Sequence, residues 1–306
     1  MKVAIVASKA YIGQAQEDVW VRDALKGLGV EAECAAWDDE GQDWARFQRV
    51  VLRSAWGYQH SLGAFERWME RMGARLVNPI ETVRGNIYKH EQFAQMRGAG
   101  LPMIPTSMIS AVGVAHTRLP AGTLRETLAR DFGGSEGLFV MKPIVSASGN
   151  STLLVDFSGR CGRPNCVSEE AERIFSEMLE ATERVGVILQ PFVPQIDGGE
   201  YALMYFGGRF SHGALRFPAI FRKERGMLPV RVPAHVLALG ERVMASLPEP
   251  APVYGRVDVV DTPEGPLLME LELCEPHLFF GVLEQGERET ALKMLAEAIL
   301  FGLHGR

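Results

Sequence analysis

"VYGRVDVVDTPEGPLLMELELCEP", from Val253 to Pro276, reads as two apolar strands around a turn, with charges set where a buried strand should be oily. Side chains alternate along a strand, so Glu270 and Glu272 share one face while Leu271 and Leu273 take the other. By the same rule Arg256 and Asp258 share a face. "DTPEG" suits a three-residue hairpin loop, Pro263 to Gly265, with Gly265 as the left-handed residue. That loop pairs Thr262 with Pro266, Val260 with Leu268, Asp258 with Glu270 and Arg256 with Glu272. A slip of one residue would break this relation. Three facing carboxylates and one arginine cannot all stay ionised in a partly dry site unless a cation joins them. Oxygen ligands without histidine select a hard ion, Mg²⁺ or Mn²⁺. The alternative is an exposed hairpin whose charges pair across the strands; the surrounding aliphatics favour the metal.

The chain has 306 residues, 47% hydrophobic and 23% charged, the composition of a soluble globular protein with one large or two to three smaller domains. A net charge of −6 and the lack of any basic tract exclude a general binder of nucleic-acid backbone. No run of about 18 apolar residues occurs, and "MKVAIVASKAYIG" lacks a cleavage pattern. Neither a membrane span nor a secretory signal is expected, and the reading is cytoplasmic. Of the cysteines Cys34, Cys161, Cys166 and Cys274, the pair in "CGRPNC" has no second Cys/His pair at zinc spacing, so reduced thiols in a turn are expected.

Residues 1 to 85 alternate strand and helix: "KVAIVA", "EDVWVRDALKGLG", "VEAECAAW", "RFQRVVLRSAWGY" and "SLGAFERWMERMG". This predicts a small parallel α/β domain, with ligands at the carboxyl ends of its strands. Arg53, Ser54 and Tyr58 fall there, and Arg53 is the candidate for gripping a substrate carboxylate, a surface ion pair being the alternative. Helices are expected over Asn86 to Arg97, Leu124 to Arg130, Glu169 to Val185 and Glu287 to Leu303. "GLFVMKP" is a strand with Lys142 near its end, followed by "IVSASGNST", whose small side chains (Ser146, Ser148, Gly149) let backbone N–H groups approach phosphate oxygens. "EYALMYFGGRFSHGALRF" is a hairpin turning at Gly207-Gly208. "FSHGALRFPAIFRKERG" offers His212, Arg216, Arg222, Lys223 and Arg225 to substrate or phosphate. A solvated loop is the alternative for the last three, and a structural histidine the alternative for His212. No P-loop, G-x-G-x-x-G, H-E-x-x-H or G-x-S-x-G motif occurs.

Lys89 in "NIYKHEQF", Lys142 in "FVMKP", the loop "SASGNST", "LQPFV", Asp258 in "GRVDVV", and Glu270 with Glu272 in "MELEL" follow in an order that resembles the ATP-grasp superfamily of carboxylate–amine ligases, over nearly the whole chain. Through "LRSAWGY", "FERWM", "GGRFSHGALR" and "ELELCEPHLF" the chain is most similar within it to the group around the cycloserine-pathway O-ureido-serine cyclo-ligase. The resemblance implies an α/β (α+β) fold: a substrate domain at 1–85, a small lid subdomain at 86–188, and a C-terminal subdomain with the metal hairpin at 189–306. It implies that Lys89 and Lys142 hold ATP phosphates and that residues 146–152 close over them as a mobile lid. Gln190, Phe192 and Val193 would line the adenine, and Glu200 would take the ribose. Asp258, Glu270 and Glu272 would ligate one or two Mg²⁺ ions, while Arg256, with Arg216 or Arg222, would face the transferred phosphoryl group. Two departures stand out: the last metal motif is Glu then Glu where relatives have Glu then Asn, and Gln190 stands where an acid is common.

The activity implied is ATP-dependent ligation of a small carboxylate to an amine through an acyl phosphate. Its alternatives are ring closure within one molecule, a phosphotransferase, and an ATP-binding module without catalysis. The partners implied are small molecules, and a homodimer is compatible with the resemblance.

Overall fold

The computed structural model describes residues 1–146, 151–181, 185–217 and 226–302, and distributes its strands over three sheets. β1 (Lys2–Ala7), β2 (Glu31–Ala36) and β3 (Arg49–Leu52) form a parallel sheet in the order β2-β1-β3. Val3 to Ala7 are wholly buried, as a strand covered on both faces must be, between α1 (Gln16–Gly27) and α2 (Leu62–Met72) with the aromatic residues around it.

β9 (Glu200–Phe206), β10 (Arg209–Phe217), β11 (Gly226–Pro229), β12 (Tyr254–Thr262) and β13 (Gly265–Glu272) form an antiparallel sheet in the order β11-β10-β9-β12-β13. Alternation gives it two apolar faces. Leu203 and Tyr205 pack with Val236, Leu239 and Val243 of α7 (Ala234–Ala245), whereas Met204 and Phe206 pack with Leu295 and Ile299 of α8 (Gln285–Phe301). The Met204 face continues onto β12 as Arg256 and Asp258, since Arg256 lies opposite Met204 and Asp258 opposite Ala202. Charge therefore begins where one apolar face ends. The β9–β10 turn is the expected one, Gly207 and Gly208 both taking positive φ (56° and 73°).

The third sheet has the order β4-β8-β5-β6-β7, from β4 (Ser107–Ile109), β5 (Phe139–Pro143), β6 (Leu153–Val155), β7 (Cys166–Val167) and β8 (Val187–Pro191). Leu124 and Leu128 of α5 (Leu124–Phe132) and Phe175 of α6 (Ala171–Glu180) cover it. The expected boundary at 188 falls inside β8, which pairs with β4 and β5, so this sheet continues to Pro191. The boundary at 85 falls inside α3 (Ile80–Ile87). The helix expected from Asn86 begins at Lys89 as α4 (Lys89–Gly98), because Tyr88 leaves helical geometry (φ −90°, ψ 78°). Met96 and Leu101 enter the α7-side core of the antiparallel sheet, so by packing this segment belongs with the C-terminal unit. Among the described residues no helix is long and apolar enough to cross a membrane.

The β12–β13 turn differs from expectation, and the difference cancels. Thr262 pairs with Gly265, so the loop is the two residues Pro263 and Glu264, one shorter than expected. Val260 therefore meets Leu267 and Val259 meets Leu268. The register then shifts: Asp258 pairs with Glu270 and Arg256 with Glu272, leaving Met269 as the extra residue of a β-bulge. The expected polar pairs are restored one step before the site.

Two asparagines clamp the hairpin root. Asn86 Nδ2 donates to Leu271 O at 2.6 Å while its Oδ1 accepts from Leu273 N (2.8 Å) and Cys274 N (2.9 Å). Asn78 likewise donates to Tyr254 O and Leu273 O and accepts from Val253 N and Tyr254 N. Both are buried. Asn86→Ala would strand three buried backbone groups, and we expect a loss of about 3 kcal/mol in urea unfolding.

Candidate active site

Asp258 is fully buried, Glu270 and Glu272 are partly open, and one oxygen from each lies within 4.8 Å of the others. Strand pairing supplies that proximity directly, since Asp258 and Glu270 are cross-strand partners and Glu272 follows two residues on. The metal set expected from the hairpin is thus brought together, with all-oxygen donors suited to a hard divalent cation. Arg256 Nε donates to Asp258 Oδ1 at 2.8 Å and its Nη2 to Asp258 Oδ2 at 2.9 Å, and Nη2 also reaches Glu272 Oε1 at 2.6 Å. Arg216 Nη2 donates to Asp258 Oδ2 (3.0 Å) and to Glu200 Oε2 (2.7 Å). Asp258 therefore sits between two guanidiniums.

The lysines approach from the other side. Lys89 Nζ donates to Ser146 O at 2.7 Å and lies 3.5 Å from Glu270 Oε1. Burial lowers the Lys142 pKa, with Glu270 pulling the other way. Burial alone would raise Glu270, but Lys142, Lys89, Arg216 and Arg256 outweigh it and hold this carboxyl down at about 2. Glu272 moves upward instead, by burial against the pull of Arg256, with Glu270 and Asp258 adding to the rise. Burial lifts Glu200 to about 7, opposed by Arg216. Neighbouring carboxyls driven apart in this way mark a place where charge is concentrated for use.

Gln190 is buried and donates Nε2 to Thr106 Oγ1 at 2.9 Å, so its side chain is held by the segment leading into β4. Phe192 N donates to Leu138 O, and the Arg163 guanidinium lies 4.7 Å over the Phe192 ring. Val193 leads into the 3₁₀ turn Pro194–Gly198, and Glu200 opens β9 just beyond it. Ser148, Gly149 and Arg222, with Lys223 and Arg225, lie outside the described residues, as does the middle of the expected lid.

Three N-terminal and strand residues are committed elsewhere. Arg53 is buried and donates to Pro276 O (2.8 Å) and Glu17 Oε2 (3.1 Å), and the Ser54 hydroxyl donates to Asp18. His212 Nε2 bonds Leu278 O at 2.8 Å and its Nδ1 bonds Ser211 Oγ at 3.0 Å. In the ligand-free protein all three side chains are thus engaged by the protein itself. The ion pair weighed for Arg53 is present, but buried rather than at the surface. Tyr58 differs: it is buried near Glu275 and Glu272, and burial first, then these carboxylates, push its hydroxyl well above its ordinary pKa.

Sequence reasoning passed over Glu17, Glu275 and His277. Glu17 accepts from Leu278 N (2.9 Å) and Phe280 N (3.0 Å), pinning the loop after β13 to α1. In sequence it reads as an ordinary acidic residue in a helix's first turn. Arg256 Nη1 donates to His277 O at 3.1 Å, and His277 Nδ1 accepts from Phe279 N at 3.1 Å, with Phe279 in the left-handed region (φ 51°). Such backbone in a bulky residue is costly and gathers at functional sites. A groove of about 910 Å³ lined by Trp37, Trp44 and Trp68 also exists, but it shares no residue with the carboxylate cluster.

A family model described as "D-cycloserine synthetase DcsG, N-terminal domain" matches residues 3–78. The cycloserine biosynthesis protein DcsG of Streptomyces lavendulae is 31% identical over 300 residues, covering 90% of this chain and 92% of that protein. The crystal structure of D-cycloserine synthetase DcsG matches with a TM-score of 0.80 at 26% identity, over 98% of this chain and 100% of that one. A RimK domain ATP-grasp protein from Sphaerobacter thermophilus matches at TM-score 0.65 and 16% identity, over 98% of this chain and 100% of that one. The D-alanine–D-alanine ligase of Bacillus anthracis, solved with ATP, matches at 0.64 and 13%, over 98% and 97%. The last two speak to the fold alone, and the fold is that of the ATP-grasp ligases.

Burial lifts the Glu275 carboxyl from 4.5 to about 8, with Glu272 adding to the rise and Lys89 opposing it. A folded pKa above the unfolded one contributes stability that is fully present below about pH 4.5 and lost as pH rises through about 8. The stability of the parent relative to Glu275→Gln should therefore fall steadily across that window in urea titrations of the ligand-free protein.

Proposed function

Because the chain belongs to the DcsG family and is an ATP-grasp ligase, we propose that it activates a small, amino-acid-like carboxylate as an acyl phosphate and joins it to an amine. The products are an amide, ADP and phosphate. The observation that carries this reading is the set Asp258, Glu270 and Glu272, within 4.8 Å of one another and flanked by Arg216, Arg256 and Lys89. Asp258, Glu270 and Glu272 would hold Mg²⁺, or Mn²⁺ in its place, and the ion would supply charge neutralisation for the nucleotide phosphates. Glu270, whose carboxyl Lys142, Lys89, Arg216 and Arg256 hold down against burial, suits that task.

The chain's own groups would do the rest. Lys89 and Lys142 would hold phosphate oxygens, Gln190, Phe192 and Val193 would border the base, and Glu200 would take the ribose hydroxyls. Arg256 spends Nε and Nη2 on Asp258 and Glu272, so its part is to keep those carboxylates aimed while adding positive charge beside the transferred phosphoryl group. Arg216 Nε is buried without a hydrogen-bond partner among the described residues, which supports a ligand oxygen at that atom. The substrate carboxylate oxygen would attack the γ-phosphorus as ADP departs. The amine nitrogen would then attack the acyl carbon, losing a proton as phosphate leaves. Ring closure within an O-ureido-serine-like substrate is the form favoured by the relative described as D-cycloserine synthetase.

The test is release of ADP and phosphate with Mg·ATP across amino acids and their ureido and aminooxy analogues, with product masses read alongside. We expect ADP release that requires a carboxylate, with a product lighter than its precursors by one water. A mass derived from a single precursor would identify ring closure. Glu270→Gln and Glu272→Gln should each lower turnover by about 100-fold or more. ADP release that never depends on a carboxylate, with Glu272→Gln binding ATP as the parent does, would leave an ATP-binding module instead.

A further inference from the structure

The groove floored by Trp37, Trp44 and Trp68 is about 910 Å³, the size of a small-molecule site, and shares no residue with the carboxylate cluster. One wall is the loop after β2, with Asp38, Asp39 and Glu40; the other is α2, with Arg67, Glu70 and Arg71. Lys9 pairs with Asp39, and Arg84 with Glu70. Asp38, Glu40, Arg67 and Arg71 are exposed and enter no ion pair among the described residues. Free charges of opposite sign thus stand on opposite walls, too far apart to join.

The basic wall suits a carboxylate. Ser61, which lines the groove, makes no side-chain cap on α2, so the N–H groups of the first turn stay open to an anion. A Cβ at Gly63 would lie 3.4 Å from Arg67 Nη1, which places this guanidinium over the same turn. The acidic wall suits an ammonium: Asp38 accepts from Lys9 N through Oδ1 at 2.7 Å, and Glu40 has no partner among the described residues. The floor gives an independent sign of a ligand. Trp37 is 7% exposed and Trp68 1%, and neither indole N–H has an acceptor among the described residues. Buried donors without an acceptor in the fold point to one supplied by a bound molecule.

We propose that this groove is a second binding site, for an amino acid with an aromatic or large aliphatic side chain. Its carboxylate would lie at the first turn of α2 with Arg67 and Arg71, its ammonium would face Asp38 and Glu40, and its side chain would rest on the tryptophans. A ligand with only one of the two charges would leave one wall unanswered. The assignment goes beyond the ligase reading and does not depend on it.

The experiment follows the indole N–H resonances of the full chain, labelled with ¹⁵N in its five tryptophans. Trp20→Phe and Trp56→Phe identify the two signals outside the groove. The probes are L-phenylalanine, 3-phenylpropanoate, which lacks the ammonium, and 2-phenylethylamine, which lacks the carboxylate. Phenylalanine should move the three groove signals saturably and leave those of Trp20 and Trp56 in place. Each singly charged probe should bind at least about fivefold more weakly, and Arg67→Ala or Glu40→Ala should each weaken phenylalanine binding about three- to fivefold. Both substituted side chains are exposed, and an unchanged indole spectrum before titration shows that the fold is kept. Groove signals that stay still up to about 20 mM phenylalanine overturn the inference. Equal binding of all three probes overturns it, as does binding that both variants leave unchanged. Shifts confined to Trp20 or Trp56 place the ligand elsewhere and overturn it too. None of these outcomes touches ADP release, on which the ligase reading is tested separately.

Discussion

Asp258 has no exposure to water, and its charge is tolerable only because Arg256 grips both of its oxygens and Arg216 one of them. Removing either guanidinium would leave a buried anion under-compensated, the costly case for ion pairs in protein interiors. The rest of the cluster hangs on this contact. Arg256 carries Glu272 with it, Arg216 brings Glu200 from the start of β9, and Lys89 closes the other side on Glu270. The charges come from β9, β10, β12, β13 and α4, so the site exists only when the antiparallel sheet is complete and α4 lies against it.

The N-terminal sheet contributes by bracing. Glu17 accepts two backbone N–H groups of the loop after β13, Arg53 holds Pro276 O, and Asn78 and Asn86 stitch the segment between α2 and α4 to the hairpin root. Each is a buried polar group hydrogen-bonded across elements distant in sequence, an arrangement that fixes geometry more than it adds net stability. Tyr58 is the residue of the expected N-terminal set buried near the cluster, where Glu275 and Glu272 act on its hydroxyl.

Much of this was legible because it follows from periodicity. The alternation in "GRVDVV" and "MELEL" placed Asp258, Glu270, Glu272 and Arg256 on one face, and the structure finds them in contact. The alternating strands and helices of residues 1–85 likewise gave the parallel sheet. What stayed hidden depends on contacts between elements far apart in sequence. Nothing local separates Arg53 as a substrate clamp from Arg53 as a brace, because the difference lies in where Glu17 and Pro276 arrive. Glu275 was hidden for the same reason: a carboxyl beyond a strand end looks solvated, whereas the fold leaves it buried. The expected divisions at 85 and 188 fall within α3 and β8, elements whose packing partners the local pattern does not name.

Met269 brings no functional group to the cluster, yet the chemistry turns on its place in the chain. With the two-residue turn and an unbroken ladder, Asp258 would have met Met269, and Glu270 and Glu272 would have pointed to the opposite face of the sheet. The bulge works as a phase shifter, adding half a pleat period between the tip and the site. The spacing of the carboxylates from one another and their distance from the turn are thus independent quantities in this hairpin, and a single-residue deletion between 266 and 269 would invert the site without removing any residue that performs its chemistry.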